Sequence, residues 1–151
     1  MGQVSSIGEV LELAIVREMQ AVNFYAAMAG RIEDQGVKSV LERLAEAEFE
    51  HKRRLELEMM KEGIVAKAVD KLIEVEEADY AREMQLDPDA ELAGVLSVAI
   101  EKERRAFRFY ADLAGIMPEA DVHEVILGLA EEEVRHLIWI EREYRKMVAA
   151  G

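Results

Sequence analysis

Glu48-Phe49-Glu50-His51 and, eighty-five residues further on, Glu133-Val134-Arg135-His136 set a carboxylate and an imidazole three positions apart twice in one chain. On a helix, residues i and i+3 share a face, so each segment can aim a carboxylate oxygen and a ring nitrogen at one spot. The flanking residues repeat as well, Leu44-Ala45-Glu46 matching Leu129-Ala130-Glu131. Residues 10–59 lie over 95–144 without a gap, and about 20 of those 50 positions are identical. The pairs include Ala14 with Ala99, Ile15 with Ile100, Glu18 with Glu103, Ala21 with Ala106, Phe24-Tyr25 with Phe109-Tyr110 and Ala29-Gly30 with Ala114-Gly115. This is an internal duplication.

Composition narrows what the repeat can belong to. The chain has 151 residues, 51% of them hydrophobic and 34% charged, with two prolines and nine glycines. That balance predicts an all-α helical bundle in one domain over residues 1–151, large enough to bury a core. A formal net charge of -13 repels phosphate backbones, which excludes nucleic acid and favours cations as guests. The absence of cysteine excludes disulfides, thiolate metal sites and any iron–sulfur or rubredoxin-type centre within this chain. No apolar run approaches the roughly 18 residues of a membrane span, and the N-terminus carries no signal-peptide pattern, so a cytoplasmic protein without membrane contact is expected.

In chain order, the first helix is expected over 7–34, with Ser6-x-x-Glu9 as a capping box and Gly36 as the stop. Val10, Leu11, Ala14, Ile15, Glu18, Ala21, Val22 and Tyr25 form its inward stripe. A second helix over 37–60 turns Val40, Leu41, Leu44, Glu48, His51, Leu55 and Met59 inward and closes at Lys61-Glu62-Gly63. Residues 62–87 read as a long crossover with a short helix near 65–75. Asp87 and Pro88 then start a third helix that runs to Met117. Pro118 starts the fourth, over 119–147, with Val122, Val125, Ile126, Leu129, Glu133, His136, Ile140 and Tyr144 inward. The expected architecture is two duplicated antiparallel helical hairpins, about 7–61 and about 88–148. Each helix is about 25 residues, or roughly 38 Å long.

Packing explains the shared apolar residues but not the shared polar ones: Glu18, Tyr25, Glu48 and His51, with Glu103, Tyr110, Glu133 and His136 as their copies. Ionised carboxylates are almost never buried without a partner. In each half the first glutamate precedes the second by 30 residues, which sets them opposite one another in a hairpin. Bringing the halves together would gather four carboxylates and two imidazoles, an arrangement untenable without counter-charge. Two divalent cations supply +4 against -4. The mixed oxygen and nitrogen donors suit Fe, Mn or Zn better than Ca or Mg. Glu48 and Glu133 would bridge the ions, Glu18 with His51 completing one and Glu103 with His136 the other. Tyr25 and Tyr110 would support ligand oxygens by hydrogen bonds.

The elements Glu18-x-x-Ala21-x-x-x-Tyr25, Glu48-x-x-His51, Glu103-x-x-Ala106-x-x-x-Tyr110 and Glu133-x-x-His136 resemble the ferritin-like di-metal carboxylate proteins, in which glutamates from two helices join Glu-x-x-His from two others. Within them the chain looks like the rubrerythrin family, the resemblance covering most of residues 7–147. It implies a ferritin-like four-helix bundle and a non-haem di-iron site that reacts with peroxide or dioxygen. Two departures stand out. Rubrerythrins typically carry a further glutamate three residues after the third-helix ligand, where it takes part in redox-linked movement of one iron, and here that position is Ala106. They also commonly carry a C-terminal rubredoxin domain, so reductant is expected here from a separate electron-donor protein such as a rubredoxin.

The expected function is therefore an oxidoreductase of peroxidase type using two Fe ions about 3.5 to 4 Å apart. The alternatives are an iron-binding, ferroxidase or iron-buffering protein without peroxidase turnover, a dimanganese catalase and a bundle that metal merely stabilises. A homodimer is expected, with Met59, Met60 and Met84 as candidate contacts, although Met at helical spacing is more often core filling. His123 reads as a surface residue and Trp139 as a packing or subunit contact. Phe24 and Phe109 read as core, and Glu46, Glu50, Glu101, Glu131 and Glu132 as solvated or rim charges.

Overall fold

A computed structural model describes residues 7–61, 92–116 and 120–150 of the chain. The expected cap at Ser6, the crossover, and the starts at Asp87-Pro88 and Pro118 lie outside these residues. The described residues form four helices and no strand: α1 Ile7–Arg31, α2 Gln35–Lys61, α3 Leu92–Ile116 and α4 Ala120–Ala150. The chain divides into two compact units, Met1–Leu86 and Asp87–Gly151. In the first α1 packs along α2, and in the second α3 packs along α4.

The turn of the first hairpin corrects one expectation. Gly36 does not stop a helix; it lies in the first turn of α2, and α1 already ends at Arg31. The break falls at Ile32-Glu33-Asp34 because Asp34 caps the second helix. Its Oδ2 accepts from the Val37 backbone N–H at 3.0 Å, and its carbonyl accepts from that of Lys38 at 2.9 Å. A side-chain oxygen there satisfies one of the donors that a helix start leaves open. A Cβ on Gly36 would come within 3.3 Å of that same carboxylate oxygen, so the bare glycine leaves the cap its room. A three-residue link of this kind returns α2 antiparallel to α1.

Each helix buries one stripe. On α2 the buried residues are Val37, Val40, Leu41, Leu44, Glu48, His51, Leu55, Glu58 and Met59, at the three- and four-residue steps of one helix face. On α3 they are Val95, Leu96, Ala99, Glu103, Tyr110, Leu113 and Ala114. On α1 the stripe is wider than expected: Val16, Phe24 and Met28 are buried, while Ala21 and Val22 are half-buried. That helix is apolar around more of its circumference, so more of it is covered. On α4, Val122, Ile126, Leu129, Glu133 and Ile140 are buried as expected, whereas Val125, His136 and Tyr144 are only half-buried.

The duplication extends to the surface. Lys61 donates to Glu58 at 3.1 Å, and Lys146 to Glu143 at 3.2 Å, the same pair eighty-five residues on. In the second hairpin Arg104 adds a tie between helices, reaching Glu101 on its own helix at 3.3 Å and Glu141 on α4 at 3.4 Å. Partly exposed pairs like these contribute little individually, so the buried stripes carry the stability.

Replacing Asp34 by Ala should destabilise the first unit by about 1 kcal/mol, the usual cost of losing such a cap. The measurement is the midpoint of chemical denaturation. A midpoint unchanged from the parent protein would show that the helix start does not depend on this carboxylate.

Candidate metal centre

The site residues sit where an apolar stripe is interrupted by polar side chains. In α2, Leu44 and Leu55 bracket Glu48 and His51, all four buried, so the polar pair cannot turn to solvent without dragging its neighbours out of the core. Glu18 occupies the matching place in α1, after Ala14 and Ile15. The second unit repeats this with Glu103 in α3, and with Glu133 and His136 in α4.

Within each hairpin the three side chains converge. His51 Nδ1 lies 2.9 Å from Glu48 Oε1 and 3.2 Å from Glu18 Oε2. His136 Nδ1 lies 3.2 Å from Glu133 Oε1 and 3.1 Å from Glu103 Oε1. One ligand atom from each of Glu18, Glu48 and His51 lies within 4.8 Å of the other two, and the same holds for Glu103, Glu133 and His136. The two triads are thus near-copies, reached from different sequence environments. All four carboxylates are buried, with Glu48 and Glu133 at 0% exposure.

A ring nitrogen holds one proton, yet two carboxylates approach it in each half. Donor separations of 2.9 to 3.2 Å fit hydrogen bonds. They fit coordination equally well, because a metal about 2.1 Å from two donors at a right angle holds them about 3.0 Å apart. Charge favours the second. With a neutral imidazole each triad carries -2 in a dry interior, where repulsion is weakly screened and hydration is lost. One divalent cation per triad restores neutrality, whereas protons do so only with two bound per triad, at least one of them on a carboxylate. Carboxylate oxygen plus imidazole nitrogen is also the donor mixture suited to iron, manganese or zinc. The residues present therefore fit a metal.

Tyr25 and Tyr110 are buried at equivalent places, one on α1 and one on α3, each ring meeting its neighbouring phenylalanine edge to face at 5.5 and 5.2 Å. A phenol that deep keeps its hydroxyl for a polar partner. Phe24 is core as expected, but Phe109 is only half-buried. His123 and Trp139 are half-buried, while Glu46, Glu50 and Glu131 are exposed. One buried charge escaped the sequence reading: Glu58 is 5% exposed and meets its neutraliser Lys61 one turn along α2. The signal was present in the repeat, since Glu58 and Lys61 recur as Glu143 and Lys146.

Duplicated helical hairpins, each burying two glutamates that meet a histidine around one point, define a helical carboxylate protein able to hold metal. The sequence matches the rubrerythrin family over residues 9–144. The chain belongs to that family, and its fold class is the all-α, ferritin-like four-helix bundle. Among solved structures it is similar to a hypothetical protein, Pfu-1136390-001, from Pyrococcus furiosus. The TM-score is 0.64 and the identity 21%, over 95% of this chain and 91% of that one. At that identity the likeness speaks to fold alone. No curated protein matches the chain. Family and triads together support a di-iron carboxylate protein. None of the described helices is long and apolar enough to cross a membrane.

Buried repulsion predicts two effects of opposite sign. Glu48→Gln should raise the stability of metal-free protein, because it removes buried repulsion, and should shrink the stabilisation that added Fe(II), Mn(II) or Co(II) confers. In the parent protein that stabilisation should reach about 2.7 kcal/mol per filled position at a hundredfold excess over Kd. Thermal unfolding with and without metal reads both effects. A metal-free variant less stable than its parent would count against the electrostatic account.

Proposed function

We propose that the two triads together hold one dinuclear iron centre, with Glu48 and Glu133 shared between the ions, Glu18 and His51 completing one, and Glu103 and His136 the other. On this reading the protein is an oxidoreductase that reduces hydrogen peroxide, or reacts with dioxygen, using electrons from a separate donor protein. The observation that carries it is the convergence of two buried carboxylates on one imidazole nitrogen in each hairpin. When bound, two ferrous ions supply one electron each, enough with two protons to take a peroxide to two waters.

The residues around the centre have their own work. Glu18, Glu48, Glu103 and Glu133 supply a charge that matches two divalent ions, so the centre is neutral when filled. Buried Leu44, Leu55, Leu129 and Ile140 flank the ligands and exclude bulk water, which strengthens each charged contact. The hydroxyls of Tyr25 and Tyr110 steady ligand carboxylates by donating to their outer oxygens.

A second reading is favoured by Ala106. This position lacks the additional carboxylate found in the family pattern, and the side chain present cannot coordinate an ion that shifts on oxidation. An iron-binding or ferroxidase protein that oxidises or buffers Fe(II) without turning over peroxide would need no such shift. Steady-state kinetics separate the two. Peroxide consumption sustained by an electron donor, with two irons per chain by elemental analysis, is the expected result. Fe(II) oxidation that stops after one round despite a competent donor would favour buffering. Replacing both Glu48 and Glu133 by Ala should abolish bound metal, and a retained stoichiometry of two would refute the site.

A further inference from the structure

The two hairpins carry the same ligands under different cover. The His51 side chain is 1% exposed and that of His136 is 20% exposed, although the carboxylates beside them are equally buried, at 3% or less in both halves. The difference is not confined to one ring. Buried Ile15 corresponds to half-buried Ile100, buried Phe24 to half-buried Phe109, and buried Met59 to half-buried Tyr144. Val16, at 5%, corresponds to Glu101, whose side chain is 46% exposed and tied to Arg104. Other pairs run the opposite way, half-buried Ala45 corresponding to buried Ala130 and exposed Phe49 to half-buried Val134, so the contrast is local. Because the triads share geometry, the difference between the two rings lies in what covers them and not in the ligands themselves.

We propose that the two metal positions are unequal in access: the divalent cation held by Glu103, Glu133 and His136 enters and leaves past the His136 ring, while the position at Glu18, Glu48 and His51 is closed. The proposal rests on the reading of the triads as metal positions and adds which of them exchanges. An ion bound under an imidazole in contact with water can be met by an incoming chelator or small ligand after a side-chain movement. One bound beneath a ring with 1% exposure needs part of the helix pair to open first. Openings of that kind have a higher free energy than side-chain motions at a partly exposed position. Exchange at the second triad is therefore the faster event, and it is also the coordination position a small oxidant or an anion such as azide reaches first.

Two measurements test this on the full chain. In metal-free protein, deuterium exchange at the imidazole C2 position, read by mass spectrometry of His51- and His136-containing peptides across a pH series and reduced to the rate constant for hydroxide attack on each imidazolium, should run several-fold faster at His136. In protein loaded with two cobalt(II) ions, EDTA should remove the metal in two phases of equal amplitude, followed by the visible absorption of cobalt. His136→Gln should lose the fast phase and keep the slow one. Equal C2 exchange at the two histidines, or faster exchange at His51, overturns the proposal whether or not the variant folds. Single-phase release from the parent protein, with two ions bound, overturns it while leaving the dinuclear reading intact. Failure to bind cobalt at all overturns both, and the two failures are thereby told apart.

Discussion

Negative charge held out of water is the constraint to which the rest of this structure answers. Each hairpin places two carboxylates against one imidazole nitrogen, with exposures of 3% or less for the carboxylates. Burial of an isolated ionised carboxylate costs several kcal/mol even after relaxation. The apolar stripes that flank these residues are what hold them there: Leu44, Leu55, Leu129 and Ile140 are all at 1% exposure or less. Turning the glutamates outward would expose those neighbours, at about 1.5–3 kcal/mol for each large side chain. The hydrophobic core thus enforces an electrostatic problem that a cation solves, which couples folding to metal binding.

Duplication explains why the solution comes as a pair. Once a hairpin has two inward glutamates and a histidine with a net charge of -2, its copy inherits the same deficit. Apolar positions in the copy can drift within the class, as Leu41 to Ile126 and Leu55 to Ile140 do, because volume and burial are nearly conserved. The polar positions cannot drift that way. Replacing one glutamate leaves the remaining donors with the wrong charge and an incomplete coordination sphere. Identity at Glu18, Glu48, His51 and their copies, among only about 20 identical positions in 50, follows from that difference in tolerance.

Much of this was legible in the sequence, for a physical reason. Glu18, Glu48 and His51 lie at helical spacing within apolar stripes, and the gap-free register with Glu103, Glu133 and His136 separates a site from ordinary charged-face scatter. The turn was misread because Gly36 is a common helix stop, whereas the decisive group was the Asp34 side chain, whose role depends on a hydrogen bond that no periodicity reports. Glu58 escaped notice because its neutraliser is the nearby Lys61, a pairing that looks like any exposed i, i+3 pair until burial is known. The half-buried state of His136 and Phe109 was also out of reach, since exposure depends on neighbours distant in sequence.

The contrast between conserved ligands and divergent cover has a chemical consequence. A symmetric pair of metal positions, equally buried and equally ligated, would offer an incoming molecule no preferred partner and no path shorter than opening the helices. Relaxing the cover on one side alone supplies a path without altering charge or donor set. Glu101 in place of Val16 and Tyr144 in place of Met59 each put a polar group where the repeat counterpart is buried and apolar. Such substitutions weaken packing only at the margin of the second hairpin, because Leu129, Ile140 and Leu96 remain at 0 to 1% exposure behind them. The core therefore retains its hold on the carboxylates while its edge is free to set access. This division would let one repeated scaffold keep the same charge and donor set at two places under different cover.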